Sequence, residues 1–317
     1  MKTEISVQPY RPGNETEILE LFREVFGQPM LEDYWQWRFG DNPTQQIVID
    51  LAWHDDLLAS HYAVSPVALH IDGEDMLSAL SMTTMTHHDF RGRGLFPRLA
   101  ESVYSRMAAK DMKMVWGFPN VLSHRGFVNY LNWSDISEVP TFRCVFSEGS
   151  PLPKPSSHIT ALESFDSRFD QLWEHVKDEY PVLTKRDSNY LSWRYQRNPS
   201  NTYLLLGYLR DDQVLGYAVY KHYQQDVDLV DLLYVDDDIG LDLVLGVAHR
   251  AQHRGAQAIN MWLNFTLPLH RKLEKLGFRN CEPITYFGAR VLDAGLKQSK
   301  VCDYKNWYLT MGDSDVY

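Results

Sequence analysis

The chain has 317 residues, about twice the length of an ordinary domain, and is 44% hydrophobic and 23% charged. It has no apolar run near the roughly 20 residues of a membrane span, and its first residues, MKTEISVQPY, lack the apolar core of a secretory signal; no membrane association and a cytoplasmic location are expected. A formal net charge of −11 argues against nucleic acid as a partner, and three scattered cysteines, Cys144, Cys281 and Cys302, exclude a disulfide framework.

The first predicted helix places Ile18, Leu21, Phe22 and Val25 on one face. Asn14, three residues before Glu17, reads as a capping box, and Gly27 as the stop. The segment YWQWRFGDNP, from Tyr34, then returns as YLSWRYQRNP from Tyr190. The offset holds without a gap to Asp55-Asp56 and Asp211-Asp212, each a predicted hairpin turn between β-rich runs. Because Trp37, Arg38 and Phe39 recur as Trp193, Arg194 and Tyr195, packing is their expected role, with Arg38 in a cleft as the alternative.

After the first copy come four predicted strands, QQIVIDLAW, LLASHYAV, VALHI and MLSALSMTTM, with Asp72-Gly73 as a tight turn. A ladder of Leu95, Leu99, Val103 and Met107 predicts a helix, MKMVWGF a strand and SHRGFVNYLNW a short helix. In the second half, Phe169, Leu172, Trp173 and Val176 repeat the first helix. Between the halves, SEGSPLPKPSS is Gly, Ser or Pro at eight of eleven positions and predicts a linker. The fold class is therefore α+β, with two similar domains at 1–146 and 158–317 and a linker at 147–157, each domain a mixed, mostly antiparallel twisted sheet flanked by helices.

THHDFRGRGLF, residues 86–96, is where this pattern turns to chemistry. Gly92 and Gly94 allow a tight turn and close approach, the following helix start offers unsatisfied N–H groups, and Arg91 and Arg93 add positive charge. A pyrophosphate fits such a loop. At the equivalent place in the second half stand Asp236, Asp237 and Asp238, which would repel it.

RGRGLF between a strand and an amphipathic helix resembles the Arg/Gln-x-x-Gly-x-Gly/Ala signature of the GNAT acyltransferase superfamily, and LEKLGF near the end of the second half resembles its closing motif. Phe96 occupies the last small-residue position. The resemblance implies an acyl-CoA co-substrate, held by Arg91, Gly92, Arg93, Gly94, Leu95 and Phe96, with Met85, Thr86 and His87 offering backbone groups to the pantetheine and thioester, and Asn120 nearby. It also implies transfer to a small-molecule primary amine, with the second domain a degenerate copy that helps wall the acceptor cleft. The ending NWYLTMGDSDVY resembles that of GNAT-like proteins of cell-surface polysaccharide pathways, which suggests a nucleotide-linked amino sugar as acceptor. The alternatives are an aminoacyl-tRNA-dependent transferase and a non-catalytic acyl-CoA-binding module.

The tyrosine that many members use as general acid falls on Val128 and Leu273, so Tyr130 is the candidate acid. Candidate bases are His124, His87 and Asp315, in that order. His87 and His88, on a strand, are expected to face opposite sides. His249 and His253, at i and i+4 with no third ligand in view, suggest a solvated helix face, and no metal is expected.

Overall fold

The computed structural model describes residues 4–146 and 151–317; residues 147–150 of the expected linker lie outside them. In the first half, β1 (Ser6–Pro9) precedes α1 (Glu15–Phe26), and α2 (Glu32–Trp35) runs into a π-helical turn (Gln36–Gly40). There follow β2 (Val48–His54), β3 (Leu57–Ile71), β4 (Glu74–Thr86), α3 (Leu95–Ala109), β5 (Met114–Gly117), α4 (His124–Leu131) and β6 (Ser134–Val145). The second half begins with β7 (Ile159–Leu162), α5 (Ser167–Val176), a short β8 (Val182–Thr184), and α6 (Ser188–Leu191) with its own π-helical turn (Ser192–Gln196). Then come β9 (Leu204–Arg210), β10 (Gln213–Tyr223), β11 (Asp226–Tyr234), α7 (Asp237–His253), β12 (Ala258–Met261), α8 (Pro268–Lys275), β13 (Arg279–Val291), α9 (Gln298–Val301) and β14 (Trp307–Tyr308). The two tryptophan motifs thus occupy the same kind of turn, entered from a short helix.

The chain divides into two compact units, residues 1–69, 76–137 and 286–302 in one, and 70–75, 138–285 and 303–317 in the other. This departs from the expected boundary at 146/158, because strands are shared out by pairing rather than by sequence order. In unit 1 the order is β1-β2-β3-β4-β5, and Gly288–Val291 of β13 pairs antiparallel with Gly117–Met114 of β5. In unit 2 the order is β7-β9-β10-β11-β12, and Phe142–Val145 of β6 pairs antiparallel with β12. The β4–β5 and β11–β12 pairs are parallel, and the hairpin pairs β2–β3, β9–β10 and β10–β11 are antiparallel, so the strand pairing within each unit is mixed.

Alternation along the unit 1 strands explains its two cores. Val48, Ala52, Tyr62 and Val64 join Leu99, Val103 and Met107 of α3 on one face, while Ile49, Leu51 and Ala63 join Ile18 and Leu21 of α1 and Trp35 and Phe39 on the other. The Leu95, Leu99, Val103, Met107 ladder is buried along its whole length. Asp55, Asp72, Gly73, Asp211 and Asp212 all take positive φ in two-residue hairpin turns, as expected.

Two local expectations are corrected. LLASHYAV and VALHI form one strand, which runs through Pro66 beyond Val64, the last residue paired with β2. No capping box forms at Asn14: its carboxamide oxygen accepts the Arg11 N–H (2.9 Å) and its side chain makes no cap bond, while Glu15 accepts from Gly13 N–H and Tyr10 Oη instead. No helix among the described residues is long and apolar enough to cross a membrane.

Candidate functional site: the β4–α3 loop

β4 and β5 pair in parallel at Ala79↔Val115 and Leu80↔Trp116. β5 ends at Gly117, whereas β4 runs on to Thr86. Gly117 sits at the vertex of this divergence: a Cβ there would lie 3.1 Å from the Ser81 carbonyl oxygen. Just past the vertex, Thr83 adopts φ 51°, an outlier for a β-branched residue inside a strand. Its carbonyl oxygen lies 2.7 Å from Nδ1 of His61, a fully buried residue of β3, so that nitrogen carries the hydrogen. Burial pushes the His61 imidazole down to about 4, against the opposing hydrogen bond to Thr83. Its Nε2 is buried without a hydrogen-bond partner among the described residues.

Beyond Thr83 the backbone is partitioned. The Met85 carbonyl accepts from Ser60 Oγ (2.7 Å), and the His87 N–H donates to the Ala59 carbonyl (3.0 Å), so both point at β3. Alternation turns the backbone groups of Thr84 and Thr86 to the opposite, open edge. Of the three residues expected to offer backbone groups to a thioester, Thr86 alone presents them there, and its carbonyl accepts from Arg91 Nε (3.3 Å).

The loop itself is a cradle of backbone donors. Gly92 (φ 75°) and Gly94 (φ 72°) hold left-handed conformations with no atom within 4 Å of a hypothetical Cβ. Gly94 starts α3 with no side-chain cap. The N–H groups of Gly92, Arg93, Gly94, Leu95 and Phe96 donate to no acceptor among the described residues, and Pro97, which has no N–H, follows. That is the anion-binding end of a helix, with its dipole and free donors together. Arg91 and Arg93 are exposed; Arg93 donates to the Asp89 carbonyl (2.9 Å) and lies over the Phe90 ring at 4.7 Å. A cavity of about 390 Å³ adjoins the loop, walled by Thr86, Phe90, Leu95, Pro97 and Tyr130. The large Phe96 also reaches the cavity, and its ring packs on Tyr62 and Phe127, with Gly126 leaving it room.

The other candidates separate. Tyr130, from α4, is exposed and reaches the cavity wall. His87 and His88 do not face opposite sides: the chain leaves the strand at Thr86 for a 3₁₀ turn, and the two rings stack at 4.3 Å. His87 Nδ1 accepts the Asp89 N–H (3.3 Å) and Nε2 lies 3.2 Å from Glu24, so both nitrogens are engaged. Ligand atoms of His87, His88 and Asp89 lie within 4.8 Å of one another, a grouping the sequence reading did not anticipate. Asn120 turns its side-chain oxygen onto the N–H groups of Leu122 and Ser123 (3.0 Å each), shaping the entry to α4. His124, the first residue of α4, stacks face to face on Tyr286 at 4.0 Å with its Nε2 3.1 Å from Asp135, close but not aligned for a hydrogen bond. Its Nδ1 bonds to no described residue. Asp315 lies in unit 2, half-buried.

Residues 6–134 match the sequence model of the acetyltransferase (GNAT) domain. That span contains the cradle, the β4–β5 divergence and α4. No curated protein matches the chain by sequence. Among solved structures, the chain is similar to a probable N-acyltransferase from Enterococcus faecalis V583 (TM-score 0.75, 14% identity, 92% of this chain and 73% of that one). It is also similar to a GCN5-related N-acetyltransferase from Kribbella flavida (0.71, 14%, 92% and 72%) and to Saccharomyces cerevisiae N-myristoyltransferase with bound myristoyl-CoA (0.65, 10%, 98% and 90%). At these identities the likeness is one of fold, and it extends over both units.

In unit 2 the start of α7, which follows β11, has its donors taken by a side chain. Asp236 caps α7, its carboxylate accepting the N–H groups of Asp238 (3.0 Å) and Ile239 (2.9 Å), the donors an anion would otherwise meet. The tryptophan motifs are buried in both units, as expected of packing residues. Arg194 nevertheless donates to the backbone oxygens of Gly312 (3.1 Å), Ser314 (3.0 Å) and Tyr317 (2.6 Å) and to Tyr203 Oη (3.3 Å), while Arg38 donates from Nε to the Met82 sulfur at 3.1 Å. The carboxylate of the C-terminal segment with a buried role is Asp313: it pairs with Arg186 (2.8 Å), which also meets Asp231 (3.1 Å). Neither His61 nor Arg186 carries a local sequence signal, since each matters through a partner distant in the chain.

Proposed function

We propose that the protein is an acyl-CoA-dependent N-acyltransferase that moves an acyl group from the CoA thioester to a primary amine. The observation that carries this reading is the run of N–H groups from Gly92 to Phe96, which donate to no acceptor among the described residues, together with the side chains of Arg91 and Arg93. A pyrophosphate would take those donors. The pantetheine would follow the open edge of β4, where Thr84 and Thr86 turn their backbone groups outward and can polarise the thioester carbonyl.

In the reaction, the amine nitrogen bonds to the thioester carbon, the carbon–sulfur bond breaks, and the amine loses a proton while the departing thiolate gains one. Tyr130, on the cavity wall, is the acid we assign to the thiolate. His124 is the base we assign to the amine, acting through Nδ1 while Asp135 faces Nε2; general base catalysis of this kind contributes about 10²- to 10⁴-fold. The amine of a nucleotide-linked amino sugar is the first acceptor class to test, on the likeness of the C-terminal segment. The myristoyl-CoA bound by the yeast neighbour puts long-chain donors beside acetyl-CoA in the panel.

The test is calorimetry with CoA, acetyl-CoA and myristoyl-CoA, followed by free-thiol release across nucleotide amino sugars, amino acids and polyamines. Binding that is lost in Arg91→Glu, with thiol release for one acceptor, supports the reading. Binding without turnover of any amine makes the protein a non-catalytic acyl-CoA module. Absence of CoA binding at about 1 mM removes the loop assignment and the function with it.

A further inference from the structure

Unit 2 contains a cavity of about 370 Å³ at the edge of its sheet, where β7 ends against β9. Its size falls at the lower end of small-molecule sites, which run from about 300 to 1,000 Å³. Leu204, Leu206 and Phe165 give it apolar walls. Tyr220 adds a phenol whose pKa burial raises, against the opposing charges of Arg250 and Arg254.

Those two arginines, one turn apart at the end of α7, both line the cavity. Neither guanidinium donates a hydrogen bond to, or pairs with, any described residue, whereas Arg143, Arg168 and Arg186 of the same unit each hold a carboxylate. Placement at a helix C-terminus accounts for a basic residue there through the dipole. It does not account for two unpaired guanidinium groups beside an apolar hollow in a chain with 42 acidic residues and 31 Lys and Arg. Glu163 also reaches the lining, which sets the local balance against polyanions and in favour of a single negative charge.

We infer that this cavity is a second ligand site, specific for a small amphipathic carboxylic acid: the apolar body lies against Leu204, Leu206 and Phe165, and the carboxylate meets Arg250 and Arg254. It is not a second CoA site, because the helix start that would hold a pyrophosphate in this unit is capped by Asp236.

The experiment is calorimetric titration of the full chain with octanoate, octanol and octylamine. Octanoate is expected to bind with a Kd below about 1 mM, and the uncharged and cationic probes at least about ten-fold more weakly, the difference a charge-assisted hydrogen bond makes. Arg250→Gln/Arg254→Gln should bring octanoate to the level of octanol, and Arg254→Gln alone, at an exposed position, should weaken it part of the way. Arg91→Glu should leave octanoate binding unchanged. Octanoate affinity that survives the double substitution, octanol binding equal to octanoate, loss of octanoate in Arg91→Glu, or no octanoate binding at all overturns the inference.

Discussion

His61 Nδ1 lies 2.7 Å from the carbonyl oxygen of Thr83, and this bond joins β3 to the point where β4 carries a left-handed residue. Because the ring is fully buried and held neutral, its pKa is about 4 in the fold against an ordinary 6.5. Between those values the unfolded chain binds more protons than the folded one, so stability rises with pH from about 4 to 6.5 and is complete above that window. The loss on acidification to pH 4 is about 3 kcal/mol from this group. Denaturant midpoints measured from pH 4 to 7.5 should show the slope in the wild type and a flatter profile in His61→Asn, which cannot titrate; parallel profiles would disprove the assignment.

Gly117 leaves little space at the vertex of β4 and β5, with a Cβ meeting the Ser81 carbonyl at 3.1 Å. Gly117→Val should force the strands to shift, at about 1–3 kcal/mol. Thermal unfolding reads that cost, and CoA titration of the same variant should give a weaker affinity, because the opening beyond the vertex changes with it.

His124, with Asp135 3.1 Å from its Nε2, is the base we assign to the amine proton. His124→Ala should lower thiol release at neutral pH by about 10²-fold or more with the CoA affinity retained, and Asp135→Asn by a smaller factor. Wild-type turnover in His124→Ala removes it as the base.

Arg186 is enclosed by Asp231 and Asp313, and all three are buried. Arg186→Met strands two carboxylates in the interior and should cost about 3–5 kcal/mol or more, seen as a large fall in the urea midpoint. Asp313→Asn, which keeps a hydrogen-bonding group, should cost less.

Asp236→Ala removes the carboxylate that caps α7, worth about 1 kcal/mol, and a small fall in melting temperature checks it. CoA binding should be unaffected, since the neighbouring Asp237 and Asp238 still repel an anion.

Short-range features were legible in the chain. The Leu95 to Met107 ladder, the Asp55-Asp56, Asp72-Gly73 and Asp211-Asp212 turns, the duplicated tryptophan motif and the Gly92/Gly94 cradle depend on helix period, on backbone conformations that Gly and Asp tolerate, or on internal repetition. Apart from the repetition, each is set by residues within a turn or two of one another.

The rest was settled by contacts across long stretches of chain. His61 meets Thr83 across 22 residues, and Arg186 meets Asp231 and Asp313 across 45 and 127. The strand beside β5 comes from Gly288–Val291, and the ring on His124 from Tyr286. No local pattern specifies such partners. A side chain's pKa, its free nitrogen and the cavity it faces follow from which distant segment is packed against it, and that choice is made by burial and pairing over the whole sheet.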